Sequence, residues 1–234
     1  MKINKTTLSV VAVSVVFGLC HEARADASPD EVATPSPRHE TVGQFELGYR
    51  GSFVTSAGLN PFSTDDYLAQ LSLVASRTLF VRGPLSFAGG VSWDHGGTSA
   101  TSRGDATSLL LDRLTVPLEG RLQFRRWGYA FLRVAPGAAA LRVEVDDPSA
   151  PAPLKKSQWA FATDLSAGYS FPIWTVAHGA HGVSRLWLQA EGGYGWMPDA
   201  SVDLGTGAMQ ASNVNLAPIA MRGGFFRAAV AASF

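Results

Sequence analysis

The sequence predicts an all-β chain closed as an antiparallel, up-and-down transmembrane β-barrel of about eight strands, and three features carry that prediction. Only 16% of the 234 residues are charged although 46% are hydrophobic, where an ordinary soluble domain carries about 25% charged residues. From Gly43 onward, short runs alternate apolar and polar residues with period two between Gly, Pro, Asp and Asn clusters, and no helical period is sustained. The connections between runs alternate long and short, as expected of strands that cross a bilayer and return through tight turns on one side. Balanced charge (19 Lys plus Arg, 19 Asp plus Glu) gives no electrostatic ground for nucleic acid as a partner, and a single Cys excludes a disulfide framework.

The first segment reads as a secretory signal peptide over residues 1–27. Lys2 and Lys5 precede the uncharged apolar run 8–19, and Ala23-Arg24-Ala25 and Ala25-Asp26-Ala27 both offer small-x-small cleavage patterns. The run is too short to span, since a transmembrane helix needs about 20 apolar residues. Cys20 follows Leu19 where a lipidation box has a small residue, so it is read as removed with the leader. Residues 28–42, with three prolines and no apolar period, form a flexible lead-in, and the barrel domain occupies 43–234.

Eight strands are predicted in order: Gln44–Thr55, Tyr67–Phe80, Leu85–His95, Leu109–Phe124, Tyr129–Val145, Gln158–Pro172, Arg185–Met197 and Ala217–Phe234. Long polar connections are predicted at Ser56–Asp66, Gly96–Ser108, Asp146–Ser157 and Pro198–Leu216; shorter ones lie near Val81–Pro84, Arg125–Gly128 and Ile173–Ser184. The first strand places Phe45, Leu47, Tyr49 and Phe53 on one face and Glu46, Arg50 and Ser52 on the other. The sixth does the same with Trp159, Phe161, Leu165, Tyr169 and Phe171 against Gln158, Asp164, Ser166 and Ser170, and the third and seventh follow suit.

Alternation alone also fits a soluble sandwich, and two further patterns favour a membrane. The polar faces are sparse, built from Gly, Ser and Ala with single charges, and the only lysines beyond residue 27 are Lys155 and Lys156 in one predicted loop; a solvated sheet normally displays Lys. Aromatic residues sort by height into two girdles, Phe53, Tyr67, Trp93, Trp159 and Trp196 beside the long connections, and Phe45, Phe124, Tyr129 and Phe171 with Phe80, Trp127, Trp174 and Phe234 beside the short ones or at the termini.

Pro117, Pro136 and Pro218 fall inside predicted strands and cannot donate a ladder bond. The apolar phase of the fifth run changes across Pro136-Gly137 and that of the eighth across Gly223-Gly224, so a bulge is expected at each. With those bulges, Glu46, Arg50, Arg113, Glu119, Arg121, Arg133, Arg142, Glu144, Asp164, Glu191, Arg222 and Arg227 point inward as a charge network of both signs. An eight-stranded barrel is only wide enough for side chains to fill, so the network reads as structural; lining a small pore or ligand pocket is the alternative.

In the last ten residues Phe226, Ala228, Val230, Ala232 and Phe234 alternate on one face and the sequence ends on an aromatic. This resembles the carboxy-terminal β-signal of bacterial outer-membrane proteins. Together with the leader and the eight runs, the region Gln44 to Phe234 resembles the small eight-stranded outer-membrane barrels related to the OmpA transmembrane domain. The resemblance implies an integral outer-membrane location, outer-membrane lipid and the barrel-assembly machinery as partners, and no cofactor.

Catalytic and metal signals are weak. His95, in Trp93-Asp94-His95-Gly96-Gly97-Thr98-Ser99, has Asp94 and Ser99 nearby, but neighbours in a strand point to opposite faces, which works against a compact triad. His178 and His181 lack nearby carboxylates or Cys, and Asp146-Asp147 near Lys155-Lys156 reads as a solvated loop. No phosphate loop, zinc pattern or nucleophile elbow occurs. Three classes follow: a non-enzymatic barrel with structural or surface-interaction loops, a small transport or binding barrel (a narrow pore or hydrophobic ligand passage), and a soluble periplasmic β-barrel binding protein; a lipid-modifying membrane enzyme using His95 is the lesser alternative.

Overall fold

Alternating sequences leave one face of every strand apolar, and pairing each strand on both edges removes the free edges such faces would otherwise carry. The computed structural model describes residues 43–54, 56, 58–63, 65–102, 105–124, 127–146, 152–177, 183–200 and 219–234; the expectations for residues 1–42, His178, His181, Asp147 and Pro218 lie outside them. The strands are β1 (Gly43–Phe53), β2 (Tyr67–Arg82), β3 (Leu85–Ser102), β4 (Asp105–Thr115), β5 (Leu118–Gln123), β6 (Tyr129–Asp146), β7 (Leu154–Ala177), β8 (Val183–Ala200) and β9 (Ile219–Ser233). All pairings are antiparallel. β4 and β5 lie in line between β3 and β6 as one stave, and β1 pairs with both β2 and β9, so the sheet closes as a ring of eight staves.

Closure is staggered. Stepping across the ladders from Ser52 through Phe225, Gly193, Ser166, Arg133, Glu119, Ala88 and Thr78 leads back to the start of β1, a shear of about ten residues that tilts the strands by roughly 35–45° and leaves an interior sized for side chains.

The short turns follow their residues. Arg82 pairs with Leu85 across the two-residue turn Gly83-Pro84, and Gly83 has φ +60°, as the first central position of a II′ hairpin requires. At the next inner turn Trp127 N donates to Phe124 O and Phe124 N to Gly128 O.

Three expectations are corrected. The segment Gly96–Ser108 is not a long loop: β3 and β4 continue as a paired hairpin out to Ser102 opposite Asp105. Its Gly, Ser, Thr and Ala composition hides the strand because a hairpin standing beyond the apolar band has no need of an apolar outer face. For the same reason Lys155 and Lys156 belong to β7.

No bulge forms at Pro136-Gly137 or Gly223-Gly224. The β6–β7 register runs without a shift from Tyr129 opposite Ser170 to Val145 opposite Leu154, and Gly223 and Gly224 pair in step with Gly195 and Tyr194. Irregularities lie instead at Thr78/Phe80, Pro172/Trp174 and Met197/Ala200. Pro117 is accommodated by the break between β4 and β5, where Val116 N donates to Pro136 O at 2.8 Å.

The third correction follows from the second. Without a bulge, odd-numbered residues of β6 and β9 face inward throughout, so Arg142, Glu144 and Arg222 are on the outside. The apolar phase changes because the lining of the lumen turns from polar to apolar, not because the strands turn over.

Candidate functional site

The lumen is filled in layers. At the end bearing the short turns, Tyr129 and Trp187 meet edge to face with ring centroids 5.3 Å apart. Gln189 Nε2 donates to Tyr129 Oη at 3.0 Å, Tyr129 Oη donates to Gln44 Oε1 at 3.1 Å, and Trp187 Nε1 donates to Ser233 Oγ at 2.9 Å. Tyr129, assigned by sequence to an aromatic girdle, is therefore an inward residue only 2% exposed. It sits on the odd phase of β6 that also carries Phe131 and Arg133.

Above this floor Arg133 gathers three carboxylates: Nε donates to Glu119 Oε2 at 2.7 Å, Nη1 to Glu191 Oε2 at 2.9 Å and Nη2 to Glu46 Oε1 at 3.1 Å. Arg121 takes the other Glu119 oxygen at 2.5 Å, and Ser166 Oγ donates to Glu191 Oε1 at 2.6 Å. The next layer centres on Asp164, which accepts from Arg50 at 2.5 and 3.2 Å and from Arg113 at 2.7 Å. Arg50 also reaches Asp94 at 3.2 Å, and its guanidinium lies 3.8 Å from the centroid of the inward ring of Phe225. Arg227, opposite Arg50 in the β1–β9 ladder, bonds Glu191 at 2.9 Å and Asp94 at 3.4 Å and so ties the two layers together.

Among the described residues the buried charges are five arginines (50, 113, 121, 133, 227) and five carboxylates (46, 94, 119, 164, 191). Burying ten charges is tolerable only where nearly every one is paired and hydrogen-bonded. Nine of the twelve residues singled out by sequence meet here. Arg142, Glu144 and Arg222 do not: they bind Asp112, Lys155 and Asp199 on the outer surface. Asp94 was missed, although its place among Ser86, Ala88, Gly90 and Ser92 on the small-residue face of β3 is a signal for it.

Toward the other rim the lining becomes apolar. Leu59 and Phe62, from the connection between β1 and β2, are 1% and 0% exposed and pack among Leu68, Leu109, Leu111, Leu141, Met197, Ile219 and Met221. Thr98 Oγ1 donates to Phe62 O at 3.1 Å, Ala220 N donates to Ser56 Oγ at 3.2 Å, and Thr107 Oγ1 donates to Pro61 O. The connection thus enters the barrel mouth as a plug.

The outer surface is the inverse. Phe45, Phe53, Trp93, Phe124, Trp159, Phe171 and Trp196 all present exposed rings, and Tyr67, half-buried, bonds Tyr49 across the β1–β2 ladder. Phe226, Ala228, Val230, Ala232 and Phe234 share the outer face of β9 and its end. His95 lies outside while Asp94 is fully inside, which separates that pair as strand geometry requires. The partner of His95 is Asp112 on β4, 2.7 Å from Nδ1, and its same-face strand neighbours are Trp93, stacked on it at 5.3 Å, and Gly97.

No family model matches the chain, and no curated protein matches it. Among solved structures it is similar to Ail, the attachment invasion locus protein of Yersinia pestis, solved with the heparin analogue sucrose octasulfate: 11% identity, TM-score 0.44, 83% of this chain and 97% of that one. It is similar also to Neisserial surface protein A, at 15% identity and TM-score 0.43 over 82% and 96% of the chains. The transport unit of the autotransporter AIDA-I from Escherichia coli follows, at 12% identity and TM-score 0.38 over 95% and 97%.

Proposed function

We propose that this chain is an integral, non-enzymatic protein of the bacterial outer membrane, in which a side-chain-filled barrel holds the connections at one rim for structural or surface-interaction roles. The observation that carries this reading is the inverted distribution of polarity. Charge is collected in the lumen, while Leu47, Phe87, Leu114, Leu132, Leu165 and Leu188, one from each of six staves, are 50–66% exposed on the outside. Soluble monomers rarely expose contiguous apolar patches beyond a few hundred Å², whereas a ring with every backbone group paired and an apolar exterior is what hydrocarbon demands.

The leader predicted at residues 1–27 supports export, and the outward apolar alternation of β9 supports engagement by the assembly machinery. His95 and Asp112 form a dyad, but neither Trp93 nor Gly97 beside it supplies a nucleophile. Envelope fractionation with heat-modifiable gel migration tests the location; recovery of the folded chain from the soluble periplasm refutes it. Planar-bilayer recording tests the filled lumen, with steady ion-selective openings as the result that overturns it.

A further inference from the structure

Outside the lumen, charge differs between the two rims. At the rim of the long connections the outward arginines and Lys155 have carboxylates: Arg142 meets Asp112 at 3.6 Å, Lys155 meets Glu144 at 2.8 Å and Arg222 meets Asp199 at 3.0 Å. At the rim of the short turns the described outer face carries Arg77 and Arg82 on β2 and no Asp or Glu. Neither arginine has an ion pair among the described residues. Their shared face depends on an irregularity. An odd separation would put them on opposite sides of an unbroken strand, but the register shift at Thr78/Phe80 inserts one residue and turns Arg82 outward with Arg77. Arg77 thereby lies opposite Gly89 and Arg82 opposite Leu85, on the phase of β3 that carries the exposed Phe87, while Ser86 and Ala88 line the lumen.

The surroundings of the two arginines offer no acceptor side chain. Leu79, Phe80, Leu85 and Phe87 are 55–67% exposed beside them. Arg77 is flanked in the ladders by Gly43 and Gly89. The place of a Cβ on those glycines is approached by Phe234 Cε2 at 3.0 Å and by Leu79 Cδ1 at 3.1 Å, so a ring and an isobutyl chain border Arg77. A guanidinium keeps its charge and its five N–H donors in any such setting. Beside hydrocarbon it extends along its stem toward the headgroups, whose level on this side is marked by Phe45, Phe124 and Phe171.

Resting on the membrane reading above, we infer that Arg77 and Arg82 form a docking site for an anionic phospholipid headgroup in the leaflet beside the short turns. Phosphate oxygens accept from each guanidinium in bidentate fashion, and the acyl chains lie along the apolar outer face of β2 and β3. Two cations without a carboxylate favour a headgroup of net negative charge, because a zwitterionic lipid brings its own ammonium. A phosphate ion from water has no acyl chains to bring it to Arg77 past Leu79 and Phe80; a lipid has.

The test reconstitutes the full chain in vesicles of phosphatidylcholine, alone or with an equal part of phosphatidylglycerol, at one ionic strength. The readout is the temperature at which the folded, heat-modifiable band is lost. Phosphatidylglycerol is expected to raise that Tm by about 4 °C, the combined attraction of two arginines for an anionic surface. In Arg77→Gln/Arg82→Gln the shift is expected to fall below about 1 °C, whereas Arg142→Gln, at the opposite rim, keeps it. Equal Tm in the two lipids for the unaltered chain, a shift retained in the double variant, or the same shift from inorganic phosphate added to phosphatidylcholine vesicles overturns the assignment. If the double variant does not insert, native mass spectrometry of the unaltered chain released from the mixed vesicles decides: retained phosphatidylglycerol above its share supports the site, and equal retention overturns it. Insertion itself checks the membrane reading separately. A chain that inserts in neither vesicle refutes that reading, and one that inserts in both without lipid preference refutes the site alone.

Discussion

Replacing Arg133 by Met is the sharpest probe of the lumen, because one guanidinium serves three carboxylates and their losses are unequal. Glu119 keeps Arg121 and Glu191 keeps Arg227, but among the described residues Glu46 has no other arginine within 4.0 Å. The variant therefore orphans one carboxylate that is 1% exposed. At an effective dielectric constant of 20, each charge pair near 4 Å is worth about 4 kcal/mol. Desolvation offsets most of the combined attraction, and breaking a buried pair in this way costs about 3–5 kcal/mol. Urea unfolding in micelles, followed by tryptophan fluorescence and heat-modifiable migration, reads the loss directly. Adding Glu46→Gln removes the orphaned charge, so the double variant is expected to recover about 1–3 kcal/mol of it, a non-additivity that only residues in contact show. A single-variant loss below about 1 kcal/mol, or a double variant no more stable than the single, refutes the account of Arg133 as the hub of the network.

The same unfolding assay separates inward from outward arginines: Arg142→Ala, whose side chain is 54% exposed beside Asp112, is expected to change stability by less than about 0.5 kcal/mol. Leu47→Arg, on the outer face of β1, is expected to cost about 2–4 kcal/mol in lipid, the value for a cation at the bilayer midplane. Phe62→Ala empties a fully buried site in the plug and is expected to cost about 3–5 kcal/mol. Phe234→Ala leaves the paired main chain of Gly43 and Phe234 intact, so its expected effect is a several-fold drop in membrane-inserted yield in cells with stability of the refolded barrel changed by less than about 1 kcal/mol.

The outer face was legible in the sequence and the upper lumen was not, for one physical reason. Along β1 the two faces differ in polarity at every step, Phe45, Leu47 and Tyr49 against Gln44, Glu46 and Arg50, so period two reports orientation without ambiguity. Near the plug the inward residues of β6 are Leu141 and Val143 while the outward ones are Arg142 and Glu144. Polarity there is reversed relative to the band below, and a reading that equates apolar with outward has to invent a bulge to keep Leu141 and Val143 outside. The β9 pair Ile219 and Met221 misleads in the same way about Arg222. Orientation could have been recovered by counting strictly by twos from Arg133 to Arg142, which differ by an odd number and so cannot share a face of an unbroken strand. Tyr129 escaped for a different reason: an aromatic at a strand end satisfies the girdle pattern whichever way it points, and only the parity with Arg133 places it inside.

That change in lining also sets where the charge network stops. In the middle of the lumen every charge has at least one partner of opposite sign, Arg133 gathers three carboxylates, and Arg227 joins the two layers through Glu191 and Asp94. At the upper boundary the next layer is Leu68, Leu111 and Met221, which offer nothing to a polar side chain facing them. Gln70 Nε2 and Arg113 Nε, at this boundary, are two of five buried side-chain atoms with no hydrogen bond among the described residues, the others being Ser72 Oγ, Ser170 Oγ and Arg227 Nε. Extending the polar lining upward would only move that boundary, and extending the plug downward would strip Arg50 and Asp164 of room to pair. The change of lining therefore fixes where the charge network stops, at the layer of Arg50, Arg113 and Asp164.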